Sequence, residues 1–187
     1  MTQLTVAEVL HTSNGRTSAE DLTTSAGTTA GDTLLIAYGS DFFQLANMPD
    51  PTSTAGDVGE PVYALDVGTN KGHIKVYLVA VEAGGAQTVT IPAHNGCDIF
   101  GVVLRLTTAT TVDDVDGNSD PTESQTAHVA PSADVLGADR LLVGIWLCFN
   151  VNTGFPSPPY VEPPGMTVAA MPSSSPFSVL LVATDRF

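Results

Sequence analysis

Apolar residues in this chain come in bursts of four to nine, each cut off by a cluster of Gly, Pro, Ser, Thr, Asn or Asp. No stretch keeps a 3.6-residue hydrophobic period over three turns, and residues 17–22 offer at most one short helical turn. That pattern excludes a fold built on long amphipathic helices and points to short strands joined by turns. The expected strands are residues 3–10, 33–39, 62–67, 73–81, 88–91, 99–106, 124–129, 140–149, 166–170 and 177–184. Turn signals such as Asn14-Gly15, Ala83-Gly84-Gly85, Asn95-Gly96 and Asp116-Gly117-Asn118 separate them. About ten strands in an open sheet would leave a face and two edges unprotected, so they must pack as two sheets or close into a barrel. The expectation is an all-β fold: a two-sheet, jelly-roll-like β-sandwich. The 187 residues suit a single domain spanning 1–187 with a core that needs no disulfide staples.

The strands differ in what they imply about burial. Residues 33–39 and 140–149 are nearly continuous apolar runs, as expected of strands covered on both sides. Thr88-Val89-Thr90-Ile91 alternates and reads as half-exposed. Met48-Pro49-Asp50-Pro51 and the proline-rich residues 155–165 cannot donate regularly to a ladder, so they are surface loops or edge crossings. The second stretch also carries Phe155 and Tyr160 and is the better contact surface.

An internal repeat is visible. Gly31-Asp32-Thr33-Leu34-Leu35-Ile36 resembles Ala138-Asp139-Arg140-Leu141-Leu142-Val143, and Lys75-Val76-Tyr77-Leu78-Val79-Ala80-Val81-Glu82 resembles Ser178-Val179-Leu180-Leu181-Val182-Ala183-Thr184-Asp185. The two pairs are 107 and 103 residues apart, so order and spacing are nearly kept. Short strands share Val and Leu by chance. The alternative is a sandwich with pseudo-duplicated halves, each a turn, a strand, a proline-rich crossing and a second strand.

The strand Ala30-Gly31-Asp32-Thr33-Leu34-Leu35-Ile36, with its Ser/Thr/Gly-rich lead-in over residues 23–29, resembles a β-sandwich module of phage virion proteins. In that module an "A-G-D-x-L-L" strand follows a threonine-rich stretch. Aliphatic strands, here residues 75–81 and 101–106, flank a Thr/Val hairpin, here residues 87–91. The resemblance is to minor tail and capsid-decoration proteins of phages that infect actinobacteria. It implies a structural role in the virion, synthesis in the host bacterial cytoplasm, and other virion proteins as partners. Such modules often carry a Trp after the first proline-rich crossing, and residues 48–59 contain none.

Charge narrows the partners. Six Lys+Arg against twenty Asp+Glu give a net charge of −14, with only 14% of residues charged. Phosphate backbones are bound through Lys and Arg that release counterions, so nucleic acid and anionic membranes are not expected partners. The first residues lack the basic and apolar regions of a cleaved signal, and the longest apolar run, residues 141–149, is too short to span a bilayer. Neither export by that route nor membrane insertion is expected. Cys97 and Cys148 sit in apolar strand surroundings and are expected as buried free thiols.

No constellation dictates a reaction. Asp113-Asp114-Val115-Asp116-Gly117-Asn118-Ser119-Asp120 is the densest oxygen-ligand set, and Asp114, Asp116, Asn118 and Asp120 would be the calcium ligands if one bound. Its glycine falls at the fourth position rather than the sixth, and Gln125 stands where a bidentate Glu is needed, so a solvated acidic loop is the preferred reading and no cofactor is expected. His11, His73, His94 and His128 show no metal spacing, and His94 near Cys97 lacks a third group to orient a base. Asp32 and Asp139, at equivalent places in the repeat, suit a turn or strand start. No nucleophile elbow, P-loop or dinucleotide fingerprint occurs. Tyr63, Phe155 and Tyr160 are candidates for partner contact or for stacking on a host-surface glycan, while Trp146 belongs to the core. The expectation is a non-enzymatic virion protein, tail-associated as a minor or tip component, forming a homo-oligomer with a trimer favoured. A capsid decoration protein and a carbohydrate-binding module are the alternatives.

Overall fold

The computed structural model describes residues 4–12, 18–40, 45–66, 72–93, 97, 99–108, 110–111, 114, 116, 141–149, 166–170, 173–174 and 178–186. Among them, secondary structure is strand except for one 3₁₀ turn, Leu45–Asn47. No helix among the described residues is long and apolar enough to cross a membrane. Ten strands have four or more residues: β1 (Val6–His11), β2 (Glu20–Thr23), β3 (Thr33–Ser40), β5 (Tyr63–Asp66), β6 (His73–Ala80), β7 (Thr88–Ile91), β8 (Ile99–Leu106), β9 (Leu141–Phe149), β10 (Thr167–Ala170) and β12 (Ser178–Arg186). Two more, β4 (Thr52–Ser53) and β11 (Ser173–Ser174), are two-residue pairings.

All pairings are antiparallel and fall into three sheets. A five-stranded sheet has the order β1-β8-β3-β6-β5, and a three-stranded sheet the order β2-β7-β4. In the third, β12 pairs with β9 along one edge and with β10 and β11 along the other. The expected sandwich is present and gains a layer, because the five-stranded sheet is covered on both faces. Leu34, Ile36 and Tyr38 of β3 pack with Tyr77, Val79, Ile99 and Val103 against Leu22, Val89 and Ile91 of the three-stranded sheet. Leu35, Ala37, Ile74, Val76, Phe100, Val102, Leu104 and Leu106 face the opposite way, against Leu141, Val143, Ile145, Ala169 and Ala170. Successive residues of a strand point to opposite faces, so β3 divides its apolar run between two cores and all eight of its residues are buried. β7 alternates between half-buried threonines and buried Val89 and Ile91, as its sequence implies.

One expectation is revised. Residues 17–22, read as at most a helical turn, contribute to β2, because Leu22 alone is buried there and enters the core across from Val89. A lone apolar residue between Asp and Thr carries too little periodicity to mark a strand. The strand expected at 124–129 lies outside the described residues, as do Asn95-Gly96 and residues 155–165.

The repeat has a structural counterpart. β3 pairs with β6 and β6 with β5, while β9 pairs with β12 and β12 with β10. Leu34 sits opposite Val79 and Leu141 opposite Arg186, so register is kept at one offset of 107 for both strands. The sequence match of the second strand, at 103, differs by four residues. An even slip leaves inward and outward positions unchanged.

Two layers approach closely at Gly101 on β8. A Cβ there would lie 2.6 Å from Ile91 Cγ1 and 2.8 Å from its Cδ1. Overpacking of this kind destabilises by about 1–3 kcal/mol, which is the loss expected for Gly101→Ala. In a denaturation double-mutant cycle with Ile91→Ala, the pair should lose less than the sum of the single losses. Strict additivity would mean that these layers do not touch at Gly101.

Candidate functional site

Side chains that converge do so at the two ends of the central sheet. At one end the chain turns through Ala30-Gly31-Asp32, with Gly31 at φ 91°, a left-handed conformation that favours glycine. Asp32 Oδ2 accepts from the Thr29 amide at 3.0 Å and Oδ1 from the Thr29 hydroxyl at 3.0 Å, closing the turn before β3. Asp32 Oδ2 also receives Arg105 Nη1 at 2.9 Å, and Arg105 Nε lies 3.4 Å from Glu8 Oε2. Burial acts to raise the Asp32 pKa, but the bonds from Thr29 and Arg105 outweigh it and hold the carboxyl below its usual 3.8. Beside this turn the Thr28 hydroxyl donates to Thr24 Oγ1 at 2.8 Å, and the Gln87 amide donates to the same atom at 2.9 Å. Gln87 Nε2 closes the 83–85 turn by donating to the carbonyls of Ala83 and Gly85. Thr24 and Thr28 of the threonine-rich lead-in are thus buried in a hydrogen-bond network, while the residues around them are exposed.

At the opposite end, the proline-rich crossing is clamped to β6. Lys75 Nζ donates to the Met48 carbonyl at 2.9 Å and to Asp50 Oδ1 at 2.6 Å, and Tyr77 Oη donates to Asp50 Oδ1 at 2.5 Å. Those bonds from Lys75 and Tyr77 lower the Asp50 pKa. Burial, then the bond to Asp50, raises that of Tyr77. Tyr38, cross-strand from Lys75, has a buried hydroxyl with no hydrogen-bond partner, and burial raises its pKa as well. Next along the same face, register places Ser40 of β3, His73 of β6 and Asp66 of β5 in one row. Asp66 Oδ1 lies 3.2 Å from His73 Nδ1. Ser40 Oγ and both ring nitrogens of His73 have no hydrogen-bond partner. Burial pushes the His73 pKa below 6.5 against the pull of Asp66.

These are the residue types of a nucleophile, a base and its orienting acid, but this arrangement does not make that device. Ser40 and His73 are 0% exposed, and Ser40 Oγ makes no bond to the imidazole it would need. Sequence reasoning missed the row because it exists only through the registers of three strands. The one sequence signal is a histidine opening an otherwise aliphatic strand.

The residues singled out from sequence are dispersed. Tyr63 is half-buried on the edge strand β5 and packs against the second core. Burial raises its pKa first, and then the charge of Asp116 does. Asp114 and Asp116 are exposed. Asn118, Asp120, Phe155, Tyr160, His94, His128 and Asp139 lie outside the described residues. Among the described residues no three His, Cys, Asp or Glu groups come together. His11 closes β1 with Nδ1 3.1 Å from the Thr12 carbonyl. Cys97 is buried, and Cys148 lies on β9, a strand of the other outer sheet. Pro51, Thr52, Ser53, Gly56, Asp57 and Val58 line an open depression of about 250 Å³ beside β4. Comparison with protein-family models, with curated proteins and with solved structures gives no match.

Breaking a buried ion pair by removing one partner costs about 3 kcal/mol, the loss expected for Asp32→Ala at pH 7. The sign with pH follows from the lowered pKa. The Asp32 contribution is in place above 3.8 and is lost as pH falls through the lower folded value. Urea midpoints measured at pH 7 and below pH 3 should therefore converge for wild type and variant. An undiminished gap in acid would mean that the carboxylate charge is not what stabilises the turn.

Proposed function

We propose that this chain is a non-catalytic structural subunit of a phage particle, located in the tail as a minor or tip component and assembling as a homo-oligomer, a trimer. The observation that carries the reading is the use made of the polar groups. Each convergent set built from two or more hydrogen bonds ties one strand or turn to another: Asp32 with Arg105, Thr24 with Thr28 and Gln87, Asp50 with Lys75 and Tyr77. The motif on which the phage resemblance rests is among them, and its Gly and Asp work as turn and strand cap. With both faces of the central sheet occupied by its own chain, contacts with neighbours fall to edges, loops and the outer sheets. The three-stranded sheet presents hydroxyls outward, with Thr23 and Thr88 at 3.0 Å and Thr90 donating to Asp21 at 2.6 Å.

Copy number in purified particles of the encoding phage tests this directly. A few copies per particle are expected, with a trimeric mass by light scattering for the isolated protein. A ratio near that of the major capsid protein makes it a capsid decoration protein instead, and absence from particles removes the virion reading. Tyr63, half-buried on the outermost strand β5, supports a second reading, in which the subunit touches host-surface glycan. Loss of glycan retention in Tyr63→Ala, with oligomer mass unchanged, would favour it. No cofactor is needed for either role, so excess chelator should leave the melting temperature unchanged. A fall would reveal a bound cation, since a ligand specific to the folded state raises stability.

A further inference from the structure

We infer that His73 is an acid-sensitive latch for the edge strand β5: its protonation releases Tyr63–Asp66 from β6 and uncovers the outer edge of the central sheet. The argument starts from position. His73 is the first residue of β6 and is fully buried, and it faces Ser40 on β3 and Asp66 on β5. Buried polar groups in folded proteins nearly always find partners, yet Nε2 here has none and Nδ1 has only the Asp66 carboxylate, 3.2 Å away without a formed hydrogen bond. A neutral imidazole tolerates that environment. An imidazolium does not, because a buried charge needs pairing and hydrogen bonds together.

Asp66 is the charged group within reach, 3.2 Å from Nδ1. Ser40 on β3 carries no charge, and Ile99, across β3 on β8, is apolar. Lys75, two residues along the same strand face, is already held by Asp50 and the Met48 carbonyl. Tyr77 donates to that same Asp50, Tyr38 is kept neutral by burial, and Cys97 is a buried thiol beside it. Hydration of the imidazolium therefore requires movement, and the strands around it are not equally able to move. β3 and β8 pair over eight residues inside the sheet. β5 has four residues, is outermost, alternates half-buried with exposed positions, and gains one further bond from the Val62 amide to the Val76 carbonyl at 2.8 Å. It is the element whose release costs least. Release brings water to His73 and leaves it able to pair with Asp66 in solvent.

The sign follows. Burial outweighs Asp66 and places the closed-state pKa below the ordinary 6.5, so the open state binds more protons and gains population as pH falls below 6.5. The opening equilibrium rises by up to about tenfold between pH 7.5 and 5.5. Hydrogen exchange of the intact protein, corrected for intrinsic rates, reads this out. Peptides covering 63–66 should lose up to about tenfold in protection at pH 5.5, while 33–40 and 99–106 keep theirs. His73→Gln should show equal protection of 63–66 at both values. Asp66→Asn, which removes the one carboxylate that favours the closed imidazolium, should enlarge the acid-dependent ratio and keeps the test open if His73→Gln does not fold. Protection of 63–66 that is independent of pH, an acid loss that persists in His73→Gln, or a smaller ratio in Asp66→Asn would each overturn the latch.

Discussion

Double coverage of the central sheet is the constraint on which the rest depends. A sheet with one wet face carries its register in the alternation of apolar and polar residues. β3 and β8 have no such code, since a one-residue slip exchanges one apolar set for another. Shape and the strand ends must supply the missing information. Gly101 is the steric part, because its Cα sits where Ile91 leaves no room for a Cβ. A slip would drive Phe100 or Val102 into that space.

The strand ends supply the electrostatic part, and they do it unequally. Where β3 begins, Asp32 is bonded by Arg105 Nη1 and the Thr29 turn, Glu8 accepts the Ser25 amide at 3.0 Å through each carboxylate oxygen, and one buried atom, Arg105 Nε at 3.4 Å from Glu8, has no hydrogen-bond partner. Where β3 finishes, Tyr38, Ser40 and His73 are buried with polar atoms unmatched. One end is a network of ion pairs and hydrogen bonds that fixes alignment. The other stores unfavourable desolvation beside the shortest of the five strands in that sheet. Stability is therefore graded along the strands, from a fixed rim near Asp32 to a yielding one near His73.

The sequence carried the strands well where an apolar run ended at a clear breaker. β7 and β8 begin and end where the residues say, because Gln87 and Leu106 lie beside turns. The run at 33–40 implied burial on both sides, and the two cores account for it. What stayed hidden is what depends on pairing. β2 rests on a single buried leucine, β4 on two residues of a proline-bearing crossing, and the third layer on a core whose members from β8 and β9 are 35 or more residues apart. The Ser40, His73 and Asp66 row belongs to the same class: 26 residues separate Ser40 from Asp66, and only register makes them neighbours. Asp32 was legible as a strand start from its repeat position, whereas its partner Arg105, 73 residues away, was not.

The place of β1 has a consequence for how the chain comes into being. β1 completes the sheet by pairing with β8, and the contact between Thr5 and Thr107 that closes their junction spans 102 residues. At ribosomal rates of about 5–20 residues per second, β1 waits roughly 5–20 s for its partner. Over that interval Val6, Val9 and Leu10 have no sheet to join, and β3 is paired on one side at most. Assembly of the central layer is thus gated by synthesis of β8 rather than by any local preference. A chain halted before residue 106 would hold an incomplete ladder with two apolar faces, the form most prone to join another copy by mistake.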